Sequence, residues 1–245
     1  RDWGNLAVGY PTRVLPADDP RLAALARRIR ARTGRPGLVS YGPLDTLHTY
    51  LGTDLAQWAL LAGRAAEARA YLADLLAHSS STLGQAELFA RAGGSFGANL
   101  PPHATAAATL VDLVRNMIVS DTPDTLELAL GGDATWWWGT RFERAATRFG
   151  VIDVALDSPA PDRRRARWSP VEVPTRVRVA DGEQVIEVLT PGARAVGGRW
   201  VECPPGAREV EFRVAGSGVA GAAPRSAPAG AGGVGGRTSG SGASR

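Results

Sequence analysis

The chain has 245 residues, 44% hydrophobic and 21% charged, with a formal net charge of +4. This balance suits a globular chain long enough for one or two cores, and the absence of any run of about 18 apolar residues excludes a helical membrane bundle. All 28 basic residues are arginine, and the lone Cys203 excludes an intrachain disulfide or a cysteine-built zinc site.

The arginine bias is compositional and not a nucleic-acid signature, which would cluster the charge on one face with aromatics interleaved. The one basic run, Arg163-Arg164-Arg165 with Arg167, lies between Pro161 and Pro170 and reads as a solvated loop. With Arg1 at its start and Met117 as its one methionine, the sequence reads as a fragment or a processed product.

Tyr10-Pro11 and Leu15-Pro16 bias the first residues away from helix. A helix follows, with Asp19 as N-cap, Pro20 at the first helical position, Gly34 past the end and Leu22, Leu25, Ala26 and Ile29 on one face. Leu47, Leu51, Leu55 and Trp58 mark a second helix ending near Leu61. Gly52 within it implies either a later start, with Thr53 as N-cap, or a closely packed neighbouring backbone. Gly63 turns the chain into a third helix that buries Ala68, Tyr71, Leu72, Leu75 and Leu76, completing an αα-hairpin.

Ser79 to Pro102 forms a long Ser/Gly/Pro-rich loop with one carboxylate, Glu87. Loops of that length in compact domains usually work or are disordered. A fourth helix, from His103 to Val119, is apolar around most of its circumference and is expected to be deeply buried.

Beyond Asp121 the period becomes that of strands: Thr125–Leu130, Phe149–Leu156, Glu172–Val179, Gln184–Leu189 and Glu209–Val214. Asp181-Gly182 between two of them signals a hairpin. The expected organisation is helices over residues 1–121, a small antiparallel β-sandwich over 122–215 and a disordered Gly/Ala/Ser-rich tail over 216–245.

Several stretches are similar to the C-terminal part of bacterial six-hairpin glycosidases. They are Tyr50-Leu51-Gly52-Thr53-Asp54-Leu55-Ala56, the run from Leu75 to Glu87, Leu100-Pro101-Pro102-His103-Ala104-Thr105-Ala106-Ala107, Leu113-Val114-Arg115-Asn116-Met117 and Thr147-Arg148-Phe149-Gly150. The resemblance covers residues 40–155 and rests on order and spacing. It implies an α+β architecture, a partial (α/α)6 toroid of αα-hairpins followed by the β-domain, with the rest of the toroid supplied by residues outside this chain.

The resemblance also implies hydrolysis of an O-glycosidic bond by paired carboxyls, one protonating the leaving oxygen and the other activating water or attacking. Glu87, at the mouth of the implied cleft, is the catalytic candidate; the alternative is a loop carboxylate bonded to backbone or touching a sugar hydroxyl. Asp54 and Asp45 are possible partners, and each could equally cap a helix. His103 either caps its helix or touches substrate. Trp136 and Trp137, within Trp136-Trp137-Trp138, offer stacking faces for sugar rings or pack the sheets on the helices.

A carbohydrate is the expected partner, and no cofactor, metal, nucleic acid or membrane is expected. His48, His78 and His103 lack metal-ligand spacing, and no phosphate loop or nucleophile elbow occurs. The expected setting is a soluble bacterial protein, cytoplasmic in preference to secreted. A non-catalytic carbohydrate-binding or structural module, or an inactive truncated product, is the alternative to the enzyme.

Overall fold

The computed structural model describes residues 3–33, 39–40, 46–90 and 101–216. Residues 91–100 of the Ser/Gly/Pro-rich loop, Asp45, Gly34 and the tail beyond residue 216 lie outside the described residues.

The chain opens with a short 3-10 helix, Trp3–Val8, and then forms α1, Pro20–Thr33. The Asp19 carboxylate accepts the Arg21 backbone N–H at 2.8 Å, capping α1 as its sequence predicts. Two short strands, β1 (Val39–Ser40) and β2 (Thr46–His48), lead into α2 (Thr49–Leu61). Leu47 therefore belongs to a strand and not to the helix. Gly52 lies inside α2 and is buried, so the helix starts before Thr53 and the Thr53 N-cap is not used.

Gly63, at φ +74°, turns α2 into the antiparallel α3 (Ala65–Ala77). Ala68, Tyr71 and Leu75 are buried as their spacing predicts, while Leu76 is exposed. Part of the expected loop is ordered: β3 (Leu88–Ala90) pairs antiparallel with β2 in a three-stranded sheet, order β1-β2-β3.

The fourth helix, α4 (Ala104–Ile118), packs against α2 by Leu113 and Met117 and leaves Val111 66% exposed. It is one-sided, not deeply buried all round. It also carries a buried polar residue, Asn116, whose amide donates to Tyr10 Oη at 2.9 Å and to Gln57 Oε1 at 3.0 Å.

Helix α4 passes directly into β4 (Val119–Asp121), which precedes β5 (Leu126–Leu128). After a 3-10 turn at Ala134–Trp137 come β6 (Thr140–Thr147), β7 (Gly150–Ala160), β8 (Arg163–Trp168), β9 (Thr175–Arg178), β10 (Glu183–Val188), β11 (Arg194–Val196), β12 (Trp200–Cys203) and β13 (Glu209–Gly216). They form two five-stranded sheets, ordered β10-β13-β8-β7-β6 and β11-β12-β9-β5-β4. All pairings are antiparallel except β5 with β9. Residues from both sheets, among them Leu128, Val154, Leu156, Val177, Val201 and Phe212, share one apolar core.

This architecture overturns the partial (α/α)6 toroid. The described residues hold four α-helices and two sheets of five strands, and the chain is about as rich in strand as in helix. Only α2 and α3 make the expected helical hairpin, and β2 and β3 intervene where a toroid would continue with helix. The Asp181-Gly182 hairpin is overturned as well. The strands flanking it, β9 and β10, belong to different sheets, so the turn carries the chain across the sandwich.

The basic run is likewise no solvated loop. It is β8, the middle strand of its sheet, with Arg164, Ala166 and Trp168 facing the core by strict alternation. Arg164 is 5% exposed and donates to the 1%-exposed Glu183 carboxylate. Arg163, Arg165 and Arg167 point outward onto Glu211 and Asp157.

Breaking a buried pair strands a charge, whereas replacing both partners by apolar residues is far milder. Glu183→Ala is expected to destabilise the fold by about 3–5 kcal/mol, and Arg164→Met with Glu183→Leu to recover most of that loss; urea unfolding of the three chains measures both.

Candidate active site

The segment Gln85–Glu87 runs between the starts of two helices. The Gln85 carbonyl accepts the His103 N–H at 2.7 Å at the start of α4, and the Glu87 carbonyl accepts the Thr49 N–H at 3.1 Å at the start of α2. The Thr49 hydroxyl donates to the Ala86 carbonyl at 2.6 Å. Ordinarily unpaired helix-start N–H groups thus fix the segment. They set the Glu87 carboxylate near the positive ends of two helices.

A histidine stands at the N-cap position of each helix: His103 caps α4 with its side chain, while His48 makes no side-chain capping bond to α2. His48 Nε2 lies 3.5 Å from Glu87 Oε1, and His103 Nε2 lies 3.6 Å from Glu87 Oε2. His103 Nδ1 accepts the Ala106 N–H at 3.2 Å, so in the neutral ring the proton sits on Nε2, toward Glu87. Tyr50 completes the group: its ring stacks on His103 at 6.0 Å and meets His48 edge-on at 4.1 Å.

The His48 ring is 2% exposed, and burial pushes its pKa down to about 4 against the opposing pull of Glu87. It is therefore a neutral imidazole near pH 7. Asp54 lies on the same stripe of α2 as Tyr50, one turn and about 6 Å further along the axis. Burial of its carboxyl raises its pKa to about 7. The two carboxyls are held in different ways: Glu87 faces donors, and Asp54 is desolvated.

This arrangement brings Glu87 and His103 together with two residues that the sequence reading did not select, His48 and Tyr50, while Asp54 lies one turn beyond Tyr50 on α2. Asp45 lies outside the described residues. Trp137 is 1% exposed and meets Phe212 edge-on at 5.8 Å in the sandwich core, so neither of its faces is open to a sugar. Trp136 packs against both the helical and the sandwich cores, over Gly131. Trp136 is thus a seam residue and Trp137 a sandwich-core residue, while Trp138 is the exposed one.

Among the described residues no group of three His, Cys, Asp or Glu side chains is placed to hold a metal ion. His103 gives a chemical reason: with Nδ1 accepting a backbone N–H, its Nε2 carries a proton and offers no lone pair to a metal. No helix among the described residues is long and apolar enough to cross a membrane.

The chain matches no protein-family model and no curated protein.

Because the native pKa of His48 lies below its unfolded value of 6.5, the unfolded chain takes up a proton first as pH falls. The stability that His48 contributes is present above pH 6.5 and is lost as pH falls toward about 4. Thermal melts of the native chain and His48→Gln are expected to show a steeper decline in the native chain across that window. Imidazole NMR titration should find the His48 ring unprotonated until close to pH 4.

Proposed function

We propose that the chain hydrolyses an O-glycosidic bond, with Asp54 as the proton donor to the leaving oxygen and Glu87 as the base or nucleophile. The observation that carries this reading is the contrast between two carboxyls, Asp54 desolvated within α2 and Glu87 facing two imidazoles at the start of that helix. A desolvated acid with a pKa of about 7 holds its proton at neutral pH, as a donor to a leaving group must. A carboxylate facing two imidazole Nε2 atoms and two helix starts suits the opposite role.

His48 and His103 orient Glu87, and Tyr50 holds both rings. The resemblance of residues 40–155 to six-hairpin glycosidases supports the substrate class through its residues. The reading rests on this site and not on a toroid.

The test is hydrolysis across a panel of aryl glycosides and oligosaccharides. Glu87→Gln is expected to lower kcat by roughly 10²–10⁴ while sugar binding persists, the size of one acid–base group. The native kcat/KM is expected to fall above pH 7, where Asp54 loses its proton, and Asp54→Asn to remove that limb along with most of the rate. Full activity in Glu87→Gln would sink the reading. Sugar binding without turnover, unchanged in Glu87→Gln, would favour a carbohydrate-binding module.

A further inference from the structure

The outer face of the β10-β13-β8-β7-β6 sheet is laced with arginine–carboxylate pairs. Arg163 meets Glu211 at 2.5 Å, Arg167 meets Asp157 at 2.6 Å, and Arg213 meets Asp162 at 2.7 Å. At one end of this face the lacing stops. A concavity of about 570 Å³ opens there, between the β6 bulge and the start of β13, lined by Arg141, Arg144, Arg167 and Arg208 with Glu143 and Asp153. Its volume falls within the range of small-molecule sites, about 300–1,000 Å³.

Three of these cations, Arg141, Arg144 and Arg208, are exposed, and among the described residues no carboxylate pairs with their guanidinium groups. Arg141 and Arg208 extend from ordinary backbone. Arg144 does not: it sits at φ +57° in a β-bulge of β6, where the register on β7 shifts between Phe142 and Ala145. The bulge is held by the Asp153 carboxylate, which accepts the Arg144 N–H at 2.7 Å. A bulge re-aims the side chain it carries, and here it leaves the Arg144 guanidinium beside the concavity.

Unpaired guanidinium groups around a hollow suit oxyanions, which they bind bidentately. The two carboxylates in the same lining would repel a continuous phosphate backbone, and they accept hydrogen bonds from hydroxyls. A mixed lining of this kind fits a ligand that alternates carboxylates with hydroxyl groups. We propose that this concavity binds an acidic oligosaccharide through its uronate carboxylates, held by Arg141, Arg144 and Arg208, with Glu143 and Asp153 taking sugar hydroxyls. The site is separate from Glu87 and does not depend on the catalytic reading.

Calorimetric titration of the full chain with trigalacturonate, neutral maltotriose and inorganic phosphate tests the proposal. Trigalacturonate is expected to bind, and maltotriose and phosphate to bind roughly tenfold or more weakly. Arg141→Ser with Arg208→Ser is expected to weaken trigalacturonate by roughly tenfold or more, the size of one charge-assisted hydrogen bond. Arg176→Ser with Arg194→Ser, an equal loss of charge on the other sheet, should leave binding within about twofold, as should Glu87→Gln. Thermal scans establish that each variant is folded.

Four outcomes would overturn the proposal. They are no binding of trigalacturonate to the native chain, equal weakening in the two arginine variants, phosphate as tight as trigalacturonate, and loss of binding in Glu87→Gln alone.

Discussion

The helical half of this protein depends on three successive backbone carbonyls. Gln85, Ala86 and Glu87 give theirs to the first donors of α4 and α2, so one short segment serves as the seat of both helices. Gln85 and Ala86 are 1% and 0% exposed, and a buried backbone without partners would be costly, so the segment and the helix starts need each other. The Glu87 side chain inherits this rigidity. It is aimed by the backbone behind it and met by His48, at the end of β2, and by His103, which caps α4.

A second joint ties the helices to the sandwich. Arg178 of β9 donates to the Leu130 carbonyl at 2.8 Å, to the Gly63 carbonyl of the helical turn at 3.3 Å and to the Asp181 carboxylate at 2.7 Å. Asp181 also receives Arg69 of α3 at 3.2 Å. Gly132, at φ +60°, leaves room for this guanidinium: a Cβ there would lie 2.3 Å from Arg178 Nη1. Apolar packing of Leu130, Trp136 and Trp200 against the helical core closes the same seam. The α2–α3 hairpin is thereby braced at its turn by the sheets, while its other end carries the site.

What could be read from the sequence follows the range of the forces involved. Local signals gave true readings: the Asp19 cap, the Gly63 turn, the burial of Ala68, Tyr71 and Leu75 in α3 and the strand period after Asp121. Non-local pairing did not. The basic run became a central strand because Glu183, far along the chain, neutralises Arg164, and no local pattern announces a partner at that separation. Asp181-Gly182 has hairpin chemistry, but its strands find better partners in opposite sheets. The apolar count of α4 suggested full burial, yet its neighbours cover one side only. The toroid failed for a related reason, since motif order carries no information on whether β2 and β3 will pair between the helices. At the candidate site, the meeting of Glu87 with His103 joins two residues singled out from the sequence, but His48 was not singled out. Histidine is not among the residues favoured as N-caps, so neither its position nor its sequence neighbours mark it.

The physical meaning of the site lies in how burial separates groups that would otherwise titrate alike. Two carboxyls of nearly equal intrinsic acidity meet different surroundings, Asp54 within α2 and Glu87 between two histidines. Desolvation keeps the Asp54 proton on near neutrality and removes the charge from His48. A charged His48 would form an ion pair with Glu87 and draw its electron density away, making it a poorer base or nucleophile. A neutral His48 orients the carboxylate while leaving its basicity largely intact. Burying that ring at 2% exposure therefore does more than fill space. It lets the Glu87 carboxylate be held on both oxygens without an ion pair to His48.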